Sequence, residues 1–178
     1  GKDNIAICGY HGWHDWYLSA NLNKKDNLST HLLSDLHANG VPKGLKNTVF
    51  PFRYKKFNEL LKIVKKNDIG VIVMEFSRSL DPDINFIKKI RNLATKKNIV
   101  LIFDECTSGF RQNFGGLHKL YKINPDMAIF GKCLGNGYAI SAIIGKKKIM
   151  ESSQTSFISS TFWTERVGFI ASLKTLEV

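Results

Sequence analysis

Two short apolar runs, each stopped by polar residues, constrain this chain more than anything else in it. Val100-Leu101-Ile102-Phe103 runs into Asp104-Glu105, and Met127-Ala128-Ile129-Phe130 runs into Gly131-Lys132. An all-apolar run this short, bounded by turn formers, reads as a strand buried on both faces, the environment of a parallel sheet covered by helices. In such sheets ligands collect just beyond the carboxyl ends of the strands. Asp104 stands at one strand end and Lys132 just past another, with Gly131, Gly135 and Gly137 permitting close backbone approach.

The chain ahead of these runs alternates in the same way. Ile5-Ala6-Ile7-Cys8 reads as a strand halted by Gly9-Tyr10-His11-Gly12, glycines on both sides of an aromatic pair. Trp13 to Tyr17 continues the aromatic segment; adjacent residues rarely share a face, so His14 and Asp15 read as packing rather than as a catalytic dyad. Residues 19–47 are polar and irregular, with turn signals at Asn39-Gly40 and Pro42-Lys43-Gly44. A connection of that length is more often functional or flexible than core. His31 and His37 lie in it without a cysteine or carboxylate cluster, which argues against a metal site. Phe57, Leu60, Leu61 and Val64 recur with helical spacing, predicting an amphipathic helix over 57–66. Gly70 to Met74 predicts a buried strand ending at Glu75, and Asp81 or Asp83 then caps a helix reaching Lys97.

Strand, helix, strand in that order is the signature of a mostly parallel sheet with helices on its faces, so the expected class is α/β. Downstream, Gly109-Phe110-Arg111 reads as a structural turn and Gly115 to Lys122 as a short helix. Residues 131–137 are too few for a parallel crossover, so a strand over Tyr138 to Ile144 is expected to run antiparallel, leaving Lys132 on the connecting loop. Thr164 to Val178 predicts a last helix, with Val167, Ile170, Ala171, Leu173 and Leu176 along one side and Thr164 available as its cap.

A carboxylate and an amine at one sheet edge suit pyridoxal phosphate, whose aldehyde forms a Schiff base with a lysine and whose ring nitrogen stays protonated against a carboxylate. The motif DECTSGFR, then PDMAIFGKCLGNGYAISAIIG, with GYHGWHDWY near the start, resembles the class III pyridoxal-phosphate aminotransferases, glutamate-1-semialdehyde aminomutase and its relatives among them. The resemblance covers nearly the whole chain, and the 28 residues from Asp104 to Lys132 fit the family's spacing. It implies the large domain of a pyridoxal-phosphate transferase of fold type I. Lys132 is then the Schiff-base lysine that also shuttles a proton, and Asp104 the carboxylate on the ring nitrogen.

The same resemblance implies Tyr10 as the aromatic stacked on the cofactor ring. It implies Cys106 as the small residue covering the opposite ring face, and His11 as either a direct contact or a support behind one. Thr161 matches a threonine that reaches the phosphate of a second subunit's cofactor, which implies a homodimer with shared sites. The implied substrates are a small-molecule amino donor and a keto acceptor; aminomutase, ω-amino-acid transaminase and amino-sugar transaminase all remain open. Family chains begin earlier, with a glycine/serine-rich helix start, and continue into a small C-terminal domain, so residues 1–178 are expected to be the central part of the large domain. Residues 19–47 correspond to the substrate entrance. The chain departs from the pattern where Glu75-Phe76 replaces Glu-Pro and where Glu165-Arg166 replaces Asn-Pro. Arg78 reads as a surface arginine rather than an anion contact.

A formal net charge of +11 raises the question of a polyanion partner. The lysines, however, are spread in pairs such as Lys24-Lys25, Lys65-Lys66 and Lys96-Lys97, the pattern of a solvated basic surface. Nucleic acid therefore ranks last among the partners, and no recognised nucleic-acid motif is present. Cys8, Cys106 and Cys133 are odd in number and lack metal-type spacing, which reads as reduced thiols in a cytoplasmic protein. No apolar run approaches membrane-spanning length. The other surviving reading is a catalytically silent structural or regulatory domain that keeps the fold.

Overall fold

The computed structural model describes residues 1–31, 33–77 and 81–178, and Arg78 lies outside them. The described strands are β1 (Asn4–Cys8), β2 (Val49–Pro51), β3 (Ile69–Glu75), β4 (Val100–Asp104), β5 (Met127–Phe130) and β6 (Ala142–Gly145). They form one sheet in the order β2-β1-β3-β4-β5-β6. Pairs β1–β2, β1–β3 and β4–β5 are parallel, and β5–β6 is antiparallel. The helices are α1 (Asp15–Leu18), α2 (Ala20–Asn23), α3 (Phe57–Lys66), α4 (Ile84–Lys97), α5 (Leu117–Leu120), α6 (Lys147–Met150) and α7 (Arg166–Glu177). The α/β class, with a mostly parallel sheet, is as expected.

The chain forms two compact units, Gly1–Glu75 with Asp83–Leu101, and Phe76–Pro82 with Ile102–Val178. In the first, β1 buries Ala6, Ile7 and Cys8, and β3 buries Ile72, Val73 and Met74. Helix α3 contributes Leu60, and α4 contributes Phe86, Ile87, Ile90 and Ala94 at helical spacing. Full burial of each large aliphatic or aromatic side chain contributes about 1.5–3 kcal/mol. Helix α4 begins where the Asp83 carboxylate accepts from Phe86 N at 3.0 Å, and it ends at Asn98 with φ +52°. Residues 19–47 are better packed than an irregular loop. Leu28 is fully buried, and the Asn21 side chain accepts from Leu28 N at 3.0 Å while donating to Leu36 O at 2.7 Å.

In the second unit three expected boundaries move. The antiparallel strand starts at Ala142, because Phe130, the last residue of β5, already pairs with Ala142 and leaves the ladder no earlier partner. Tyr138 instead closes a turn onto Gly135 O at 3.0 Å. The short helix shrinks to Leu117–Leu120, bounded by Gly115 at φ +84° and Lys122 at φ +54°. Helix α7 starts at Arg166 and is capped by Glu165, whose carboxylate accepts from Val167 N and Gly168 N, not by Thr164. Its buried residues are Gly168 and Ser172, while Val167, Ile170, Leu173 and Leu176 remain about half exposed.

Replacing Asp83 with Ala should lower the unfolding free energy by about 1 kcal/mol, the usual value of an N-cap. Urea denaturation would read this as a lower midpoint with an unchanged slope.

Candidate functional site

The site begins with register. β4 and β5 run parallel with Asp104 opposite Ile129, and Glu105 N donates to Ile129 O at 2.8 Å. The two chains then stay side by side beyond the strand ends. A Cβ placed on Gly131 would lie 3.4 Å from the Cys106 sulfur. Lys132 Nζ donates to Thr107 Oγ1 at 2.6 Å. Asp104, half-buried, accepts from Cys106 N at 3.0 Å through Oδ1. Parallel register thus gathers a carboxylate, a thiol, a hydroxyl and an amine within residues 104–107 and 131–132.

Lys132 itself has φ +46°, a left-handed conformation that few non-glycine residues adopt and that clusters at functional sites. The turn fixes this conformation: Lys132 O accepts from Gly135 N at 3.1 Å and from Asn136 N at 2.9 Å. The connection expected as a loop is a 3-10 turn, Lys132–Leu134, and the lysine is exposed on it.

Behind these groups lies a carboxylate that the sequence reading passed over. Along β4 burial alternates, and Leu101, Phe103 and Glu105 are all fully buried. Glu105 therefore points to the face opposite Asp104. Its carboxylate accepts from Ser108 Oγ at 2.5 Å, Leu117 N at 3.0 Å and His118 N at 2.9 Å. His118 Nδ1 lies 2.8 Å from the same carboxylate. Burial alone would raise its pKa, but the hydrogen bonds from the His118 ring, Ser108 and the two backbone amides outweigh burial and hold it below the usual range. The following loop is tied down by Gly109 N on Glu105 O at 2.7 Å and by Arg111 Nε on Thr107 O at 2.9 Å. The one available signal was phase: a carboxylate in step with two buried apolar positions must be matched by buried donors.

Tyr10 and His11 belong to the first unit, where a comparable device holds their loop. Gly9 N donates to His31 Nδ1 at 3.0 Å, Tyr10 N donates to the Glu75 carboxylate at 3.1 Å, and Tyr17 OH donates to Gly9 O at 3.0 Å. Gly9 has φ +111°, and a Cβ there would meet the Glu75 carboxylate at 2.5 Å, so the position requires glycine. The Tyr10 ring lies 5.4 Å from Trp13 and 5.7 Å from Tyr17. His11 is buried, 6.1 Å from the Tyr17 ring. His14 packs 4.9 Å from Trp16, in keeping with a packing role. Burial, then the nearby Glu75 charge, pushes the Cys8 thiol up to about 12, which makes it an inert core residue. Thr161 lies in an exposed turn ahead of α7, where Trp163 N donates to Ser160 O at 3.1 Å.

Two outcomes follow from these anchors. Glu105→Gln should cost about 2–4 kcal/mol, because an amide cannot accept from all four donors. A depressed carboxyl pKa contributes stability above about pH 4.3 that is lost as pH falls through the folded pKa, so the variant should also lack the wild type's acid-limb slope in pH-dependent denaturation. His31 is held down to about 4 by burial first and by neighbouring His11 second. Its neutral ring therefore contributes stability that is complete above about pH 6.5 and declines toward pH 4, about 3 kcal/mol in all. Wild type should lose stability across that window and His31→Asn should not; equal slopes would refute the anchor.

Residues 7–178 match the family model for Aminotransferase class-III. The chain is 33% identical over 187 aligned residues to the 3-aminobutyryl-CoA aminotransferase of Cloacimonas acidaminovorans, covering 100% of this chain and 41% of that protein. It is 36% identical over 178 residues to the glutamate-1-semialdehyde 2,1-aminomutase of Nitrosopumilus maritimus, covering 94% and 41%. An ω-transaminase from Sphaerobacter thermophilus superposes with a TM-score of 0.81 at 20% identity over 99% of this chain and 43% of that one, so the two share a fold. The chain spans about two fifths of the length of these relatives. On the match of its sequence from residue 7 to its last residue, the chain belongs to the class-III aminotransferase family.

Proposed function

We propose that the protein moves an amino group with pyridoxal phosphate, between a small-molecule amino donor and a keto acceptor or within one molecule as an aminomutase. The observation that carries this reading is the parallel register of β4 and β5, which sets Asp104 and Lys132 at the carboxyl ends of neighbouring strands. The donor set fits the group: an exposed amine that can attack an aldehyde, and a carboxylate that can keep a ring nitrogen protonated. When bound, pyridoxal phosphate supplies that aldehyde and an electron-withdrawing ring.

The chain's own residues have distinct tasks in this reading. Lys132 would hold the cofactor through its amine and, when that amine is free, would move the proton at the substrate carbon. Asp104 holds the ring-nitrogen proton. Tyr10 would stack on the cofactor ring and Cys106 would cover it, His11 would support the Tyr10 loop or touch the cofactor, and Thr161 would reach the phosphate held by a second subunit. That last role makes the protein a homodimer with shared sites. Cys8, Cys106 and Cys133, odd in number and without metal-type spacing, favour the reducing cytoplasm, and no described helix is long and apolar enough to cross a membrane.

The full-length protein incubated with pyridoxal phosphate should develop a yellow band that borohydride reduces, with the adduct on the Lys132 peptide by mass spectrometry. Lys132→Ala should lose that adduct and on the order of 10²–10⁴ of turnover. An undiminished reducible band in Lys132→Ala would sink the assignment.

A further inference from the structure

The Lys132 amine is not left to solvent: it donates to the Thr107 hydroxyl at 2.6 Å. A lysine stem is flexible over four carbons, so an exposed amine reaches any one position only part of the time. Thr107 is suited to limit that freedom. Its β-branched side chain has few rotamers, and its backbone is held by Arg111 Nε on Thr107 O at 2.9 Å. The residues before and after it are fixed by the Glu105 carboxylate, through Ser108 Oγ at 2.5 Å, and by Gly109 N on Glu105 O at 2.7 Å. The hydroxyl is therefore a rigid point, and the amine is the mobile partner that docks on it.

The chemistry of the partner matters as much as its place. A hydroxyl both accepts and donates, so it keeps its contact with an ammonium and with a free amine. A carboxylate in the same place only accepts, favours the ammonium, and so opposes attack on a carbonyl carbon. We infer that Thr107 is a positioning residue for Lys132, holding the amine at the ends of β4 and β5 in both protonation states so that it captures an aldehyde quickly. This rests on the reading of Lys132 as the covalent anchor. The step is a condensation: a carbon–nitrogen double bond forms between the neutral lysine nitrogen and the aldehyde carbon, and the aldehyde oxygen leaves as water with the amine's two protons.

The test uses the full-length protein and pyridoxal phosphate, with borohydride quenching at timed intervals and mass spectrometry of the Lys132 peptide. Thr107→Val should slow adduct formation at Lys132 by about tenfold, the size of one lost hydrogen bond to a charged group. Thr107→Ser, which keeps the hydroxyl, should recover the wild-type rate to within about threefold. Thermal melts of both variants serve as the fold control, and Thr107→Ala replaces Thr107→Val if that variant is unfolded. Wild-type capture rates in Thr107→Val, or equal slowing in the Val and Ser variants, overturn the positioning role while leaving Lys132 as the anchor. Wild-type adduct on another lysine overturns both.

Discussion

The buried Glu105 carboxylate is the contact on which the Asp104–Lys132 edge of the second unit depends. An ionised carboxylate without solvent is costly, and only a full complement of donors makes it tolerable. Here the donors come from Ser108, Leu117 and His118, so the charge cannot be satisfied unless the loop after β4 and the start of α5 both come to it. The requirement acts as an assembly constraint. Once met, it fixes residues 105–108, and with them the position of Asp104 on one side and Thr107 on the other.

The first unit uses the same physics with different groups. Backbone N–H groups of Gly9 and Tyr10 are pinned by the His31 ring and the Glu75 carboxylate, both drawn from distant points in the chain. In each unit a loop leaves the carboxyl end of a strand. In the first, side chains from elsewhere capture the loop's backbone; in the second, Glu105 at the head of the loop captures the Ser108 hydroxyl and the first amides of α5. The shape of the loop is thereby set by tertiary contacts rather than by local turn preference, which leaves its outward residues available for chemistry.

The legibility of the sequence follows the range of the forces involved. Helix α3 and the β3–α4–β4 alternation were readable because apolar periodicity is local and strong. The antiparallel sense of β6 was readable because a short connection permits nothing else. Its start at Ala142 was not, since it depends on how many residues β5 offers as partners. The Asp104–Lys132 pair stood out as polar residues ending apolar runs. Thr107, His118 and His31 did not, because each acts through a contact formed across a separation in sequence, and a lone threonine or histidine announces nothing by itself. Glu105 was half legible: its phase was visible, its partners were not. On α7 most of the apolar residues expected along one side stay exposed, and the buried contacts are made by Gly168 and Ser172 instead.

The adjacency of Asp104 and Glu105 has an evolutionary corollary. Successive residues of a strand face opposite sides, so these two acids, one link apart, serve different compartments of the molecule. A single-residue deletion within β4 would turn each to the opposite face, sending the longer acid to the Asp104 side and the shorter one into the apolar layer of Leu101 and Phe103, away from the donors around Ser108 and His118. Substitution can be absorbed at many points of this strand; a frame slip cannot. Length variation among descendants of this chain is accordingly channelled away from β4 and into surface connections that carry no buried anchor.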